Sequence, residues 1–128
     1  MRISSAQAMH EFWKTLASKA KVLLLSGELG AGKTTLIKWF AEGLGIDPAQ
    51  VQSPTYAYLN IYENKLLHID MYRLSSFEEL VEKGILNQIS EFEWIVIERP
   101  KWDDQLDLEN PLALKIEKLS ASEREVLV

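Results

Sequence analysis

The sequence predicts an α/β domain built on a mixed sheet, and three observations carry the prediction. A run of four apolar residues, Val22-Leu23-Leu24-Leu25, passes into a glycine-rich turn and then a helical pattern. That is the signature of a buried strand feeding a helix. Two later segments, Tyr56–Tyr62 and Lys65–Asp70, read as strands joined by a tight turn at Glu63-Asn64, hence as an antiparallel hairpin. A second apolar run at 94–98 and an alternating one at 112–118 supply further strands.

Each element has a local cause. Ser4 with Gln7 forms a capping-box pattern, and Met9, Phe12, Trp13 and Leu16 follow at helical spacing, predicting a helix over 5–18. After the strand at 22–26, a helix starts at Lys33, presents Leu36, Ile37, Phe40, Ala41 and Leu44 to the core, and ends at Gly45. The hairpin follows. Ser75 with Glu78 then opens a short helix that Gly84 closes. The strand at 94–98, a polar connection over 99–111 with two prolines, the strand at 112–118 and a last short strand at 124–128 complete the order. No repeat, low-complexity tract or long linker divides residues 1–128, so one domain is expected.

Composition narrows the function. With 14 Lys+Arg against 19 Asp+Glu, the formal net charge is −5, which disfavours unassisted binding of nucleic acid by phosphate neutralisation. There is no cysteine, so disulfides, thiol catalysis and Cys-rich metal sites are excluded. No apolar run approaches the ~20 residues of a membrane-spanning helix, and the N-terminus lacks a signal-peptide core. A cytoplasmic protein without membrane contact is the expectation.

The chemistry sits in the turn after the first strand. Gly27-Glu28-Leu29-Gly30-Ala31-Gly32-Lys33-Thr34-Thr35 fits the pattern Gly, any four residues, Gly-Lys-Ser/Thr. Its glycines let successive N–H groups curl round a phosphate anion, and the positive end of the following helix faces the same anion. Lys33 can reach the terminal phosphates, and the Thr34 hydroxyl is set to ligate Mg²⁺. The pattern therefore predicts a P-loop NTPase-like domain with helices on both faces of its sheet.

A triphosphate site also needs acids at neighbouring strand ends. Asp70 ends one strand and Glu98 another, and either could hold Mg²⁺ or orient an attacking water. Spacing does not separate the two roles. Ser53-Pro54-Thr55 follows the P-loop helix, where a Ser or Thr hydroxyl can serve as a switch, although a proline turn explains the same residues. His68 shares a sheet face with Leu66 and Asp70 and is read as structural. Tyr56, Tyr58 and Tyr62 share a hairpin face and are read as packing or as a partner surface. Trp13 and Trp39 are assigned to the core, and Glu78, Glu79 and Glu82 to a solvated helix face.

These residues together resemble the TsaE (YjeE) family, the small P-loop ATPase subunit of the bacterial machinery that makes threonylcarbamoyladenosine in tRNA. The likeness rests on the P-loop block, on Ser53-Pro54-Thr55-Tyr56, on His68-Ile69-Asp70-Met71-Tyr72-Arg73-Leu74 and on Ile97-Glu98, and it runs over nearly the whole chain. It implies an ATPase using ATP and Mg²⁺ that drives the cycle of a threonylcarbamoyl transferase complex, for tRNAs reading codons that begin with adenine. The partners implied are the catalytic transferase subunit and its dimerisation partner, TsaD- and TsaB-like proteins, with tRNA reached through the complex. Carried over by position, Lys33 and Thr34 serve phosphate and Mg²⁺, Thr55 is the switch hydroxyl, and Asp70 and Glu98 are the acids. Tyr72 and Arg73 fall near the partner-facing surface. One departure stands out: the family usually has tryptophan after its glutamate, whereas Arg99 follows Glu98 here.

Other readings of the P-loop make different demands. A small-molecule or nucleotide kinase wants a lid bearing arginines, and the chain has four arginines and no Arg-rich insertion. A GTPase wants Asn-Lys-x-Asp, and Asn64-Lys65-Leu66-Leu67 lacks the aspartate. A degenerate loop kept only for interaction would not need Lys33 and Thr34. The domain looks too small to enclose a triphosphate, so slow turnover without partners is expected.

Overall fold

The computed structural model describes residues 1–27, 33–52, 58–120 and 123–127, with Lys33 described by its backbone alone. Among these residues seven strands form one sheet: β1 (Arg2–Ile3), β2 (Val22–Gly27), β3 (Leu59–Tyr62), β4 (Leu66–Asp70), β5 (Trp94–Glu98), β6 (Leu112–Lys118) and β7 (Arg124–Leu127). Their spatial order is β1-β7-β6-β2-β5-β4-β3. The central four strands, β6-β2-β5-β4, are parallel, and both edges turn antiparallel through β3 on one side and β7 and β1 on the other. Among the described residues, four α-helices cover it: α1 (Ala6–Leu16), α2 (Lys33–Gly43), α3 (Phe77–Glu82) and α4 (Ile85–Glu91).

Strand alternation divides the core in two. On one face Leu23, Leu25, Leu66, Val96, Leu114 and Ile116 meet α1 and α2 through Met9, Trp13, Leu36, Ile37 and Phe40. On the other, Leu24, Leu67, Ile69, Ile95 and Ile97 meet α3 and α4 through Leu80, Ile85 and Ile89. Burial on both faces explains why β2 and β5 read as continuous apolar runs. The expected α/β mixed sheet with helices on both faces is the fold observed.

Several elements differ in detail from the sequence reading. The side chain that caps α1 belongs to Ser5, which accepts from Ala8 N–H, and α3 is capped by Ser76, which accepts from Glu79 N–H. For α1 the neighbouring Ser4 has the better spacing, with Gln7, but lies one residue too early; for α3 both serines have a Glu three residues on, and Ser75 lies one residue too early. Gly84 does close α3, yet with φ +77 it also opens α4, a helix absent from the sequence reading. Strand β1 was missed because two residues carry no periodicity; β7 supplies its register.

The 99–111 connection is less polar than expected. Leu106 is buried, and Trp102 and Leu108 pack on the α3/α4 core. Trp102 also meets Phe77 edge-on. The hairpin turn is as expected, since Glu63 and Asn64 both take positive φ, the pattern of a two-residue turn matched to strand twist. The described part of its first strand begins at Leu59.

Candidate active site

The carboxyl ends of β2, β5 and β4 lie side by side, and they bring together three sequence-predicted features. Gly27 ends β2, Glu98 ends β5 and Asp70 ends β4. Leu25 is in register with Glu98, and Glu98 with Asp70. Because Val96 and Leu66 face α1 and α2, Glu98, two residues beyond Val96, and Asp70, four beyond Leu66, point to that same face. Helix α2 begins at Lys33 over this end of the sheet. Thr34 is half-buried and Thr35 exposed. Glu28, Leu29, Gly30, Ala31, Gly32 and the Lys33 side chain lie outside the described residues, as do Ser53, Pro54, Thr55 and Tyr56.

The two acids have different surroundings. Glu98 is buried, and its Oε2 lies 2.7 Å from His68 Nε2. The imidazole is fully buried too, and its Nδ1 lies 2.9 Å from the Tyr62 hydroxyl. That hydroxyl accepts from Gln52 N–H at 3.2 Å and lies 3.0 Å from the Gln52 carbonyl, to which it can also donate. Burial pushes the Tyr62 phenol above its ordinary range, against a lowering by its bonds to Gln52 and Asn60; the charge on Glu98 pushes the same way as burial. His68, read from the sequence as structural, and Tyr62, read as packing or a partner surface, are thus attached to one of the two candidate acids. Alternation placed His68 on the right face, but only the register of β4 against β5 aims it at Glu98.

Asp70 is more open. Its Oδ1 accepts from Tyr72 N–H at 2.9 Å, and its Oδ2 lies 3.8 Å from Arg99 Nη1. Arg99 takes φ +51, donates its N–H to the Leu25 carbonyl at 2.8 Å, and lays its guanidinium 4.5 Å from the ring centre of exposed Tyr72. The arginine after Glu98 therefore does two things here: it provides the positive charge beside Asp70 and it stacks on an aromatic ring. Lys101 Nζ donates to the carbonyls of Leu74 and Tyr72, at 2.7 and 3.4 Å, tying the turn after β4 to the segment after β5. Arg73 is exposed beside Tyr72.

Other readings resolve simply. Trp13 is fully buried and its indole N–H donates to Met9 Sδ. Trp39 stacks on His10 at a centroid distance of 5.1 Å, on α1 and away from the strand ends. Glu78 and Glu82 are exposed as expected, whereas Glu79 turns one carboxylate oxygen inward and accepts from Ser75 Oγ through the other. Among the described residues, no helix is long and apolar enough to cross a membrane.

Comparison with known proteins shows the family. A family model described as threonylcarbamoyl adenosine biosynthesis protein TsaE matches residues 3–126. The chain belongs to the TsaE family. A TsaE of Aquifex aeolicus, named as a tRNA threonylcarbamoyladenosine biosynthesis protein, is 36% identical over 119 residues, covering 88% of this chain and 80% of the relative. The similarly named protein of Treponema pallidum is 33% identical over 118 residues, covering 88% and 84%. The crystal structure of Bacillus subtilis YdiB superimposes with a TM-score of 0.66 at 27% identity, covering 98% of this chain and 80% of that one. The TsaE fold thus extends across the whole strand-end cluster.

Proposed function

We propose that this chain is a Mg²⁺-dependent ATPase acting in tRNA threonylcarbamoyladenosine biosynthesis. In this reading it drives the cycle of a threonylcarbamoyl transferase complex containing TsaD- and TsaB-like partners. The observation that carries the reading is the pair of carboxylates, Glu98 and Asp70, adjacent in register at the strand ends beside Gly27. Family membership supplies the pathway.

The donor set suits Mg²⁺. Two carboxylates and the Thr34 hydroxyl are hard oxygen ligands, and a Mg²⁺–nucleotide site asks for one or two such acids besides phosphate and water. Glu98 uses Oε2 toward His68, and Asp70 uses Oδ1 toward Tyr72, so each acid keeps an oxygen with lone pairs to spare. When bound, Mg²⁺ would neutralise charge on the phosphates. The chain's own residues do the rest. Backbone N–H groups of residues 27–34 and Lys33 hold the phosphates, Thr55 acts as the switch hydroxyl, and a buried carboxylate at Glu98 is the better placed of the two acids to orient water. Asp70, more open and paired with Arg99, suits the metal side.

The test joins binding, turnover and assembly. Lys33→Ala should weaken ATP binding about tenfold or more, the loss of one charge-assisted contact, without lowering stability. Native-strength binding by that variant would sink the phosphate role. Purified chain should release inorganic phosphate slowly from ATP and faster with the transferase pair. Transfer of the phosphoryl group to a metabolite, with no free phosphate, would contradict hydrolysis.

A further inference from the structure

We propose that Tyr62, His68 and Asn60 form a hydrogen-bonded brace that positions the Glu98 carboxylate for hydrolysis and ties it to the chain leading into residues 53–55. The inference rests on Glu98 acting at the hydrolytic centre. All the links are within hydrogen-bond distance: Glu98 Oε2 to His68 Nε2 at 2.7 Å, His68 Nδ1 to Tyr62 Oη at 2.9 Å, and Tyr62 Oη to Gln52 N at 3.2 Å. Asn60 Nδ2 lies 3.3 Å from both Tyr62 Oη and the Gln52 carbonyl.

Donor counting selects one arrangement. A carboxylate only accepts, so His68 must donate through Nε2–H. Tyr62 Oη has two lone pairs, and Gln52 N–H with one Asn60 N–H fills both. A third donor, Nδ1–H, would find no lone pair there. His68 Nδ1 is therefore the acceptor of the single Tyr62 O–H hydrogen, and the Gln52 carbonyl, 3.0 Å from the same hydroxyl, takes the second Asn60 N–H instead. Each link from Glu98 Oε2 to the Gln52 backbone then joins one donor to one acceptor. The two buried links, Glu98 to His68 and His68 to Tyr62, hold these side chains in one geometry, because rotating the imidazole strands a polar atom away from water.

The path crosses three elements. It starts at the end of β5, passes through β4, reaches β3 and ends on the backbone of Gln52, the residue before Ser53. None of Tyr62, His68 and Asn60 ends a strand on the nucleotide side, and the β4–β5 and β3–β4 pairings alone bring them into line. They act on Glu98 and on Gln52, so they are positioning residues.

The experiment compares ATP turnover and ADP affinity of the full chain with those of Tyr62→Phe, His68→Leu, His68→Gln and Glu98→Gln. Tyr62→Phe should lower kcat about tenfold, and His68→Leu about ten- to hundredfold, as loss of an orienting partner does. KM for ATP and the Kd for ADP should stay within about twofold of native. His68→Gln, whose amide N–H can replace the Nε2 donor, should recover most of the activity that His68→Leu loses; equal activity of the two overturns the brace. Native kcat in Tyr62→Phe overturns it as well, and that variant decides the matter if His68→Leu does not fold, since it removes one oxygen from a ring that stays packed. If those variants turn over normally while Glu98→Gln is inactive, the brace is wrong and the role of Glu98 stands. Native turnover by Glu98→Gln would remove both.

Discussion

Gly27 is the first glycine of the phosphate-binding pattern, and Gly27→Ala is expected to destabilise the fold itself before any nucleotide is bound. Its φ is +129, where an L side chain is strained by about 1–3 kcal/mol. An added Cβ would stand 2.1 Å from the Ile116 carbonyl oxygen and 3.0 Å from the Ile116 C and N atoms. These are backbone atoms of β6, in register with Gly27, so no side chain can rotate aside. The two strands must part by about 0.9 Å for that oxygen contact to reach even 3.0 Å, below which Cβ atoms are essentially never found.

Parting β2 from β6 weakens one or two ladder hydrogen bonds, each about 1 kcal/mol, and loosens Ile116, which is fully buried. The total is about 3–5 kcal/mol, a large part of the ~5–15 kcal/mol that holds a domain together. For a chain of this size that corresponds to a fall in Tm of about 10–20 °C. Gly45→Ala is the control. Gly45 has φ +81 but nothing within 4 Å of its Cβ position, so only conformational strain of about 1 kcal/mol applies. Thermal unfolding followed by circular dichroism without nucleotide, which would otherwise mask the difference by linkage, gives the comparison. A Gly27→Ala protein melting within a few degrees of Gly45→Ala would refute the steric reasoning.

Two further predictions concern the site. Asp70→Asn keeps an oxygen for the Tyr72 N–H but removes the charge facing Arg99, and should lower ATP turnover about tenfold while ADP affinity changes less than about threefold. Steady-state kinetics and calorimetry check it, and unchanged turnover would take Asp70 out of the mechanism. The buried Tyr62 phenol should ionise at higher pH in the folded protein than in the unfolded chain. Its contribution to stability is therefore complete below the unfolded phenol range and is lost as pH rises through the folded value. The difference between phenol absorbance titrations of native protein and Tyr62→Phe isolates this group, and coincident folded and urea-unfolded curves would contradict the burial argument.

Much of the fold was legible because its signals are local. An apolar run, a glycine turn and a helical stripe identified β2 and α2 without knowledge of any partner, and positive φ at Glu63 and Asn64 bears out the tight hairpin turn. Choices between equivalent local signals were less legible. Ser4 and Ser5, or Ser75 and Ser76, offer the same hydroxyl, and the cap is decided by which residue the tertiary packing leaves extended. Strand β1 and helix α4 needed β7 and the α3/α4 core, respectively, to exist.

The proposed chemistry is read from spacing along the chain. Glycines, Lys33 and Thr34 in fixed spacing suit a phosphate, and Asp70 and Glu98 at strand ends are the acids such a site needs, because spacing along one chain sets which groups a strand and a turn present together. Only the tertiary structure decided the acids' neighbours. Register between β4 and β5 puts His68 under Glu98, antiparallel pairing of β3 with β4 brings Tyr62 to His68, and parallel pairing of β2 with β6 sets Gly27 against the Ile116 carbonyl. Those contacts join residues from 6 to 89 positions apart, and such pairings depend on how the sheet is assembled, which no local periodicity encodes.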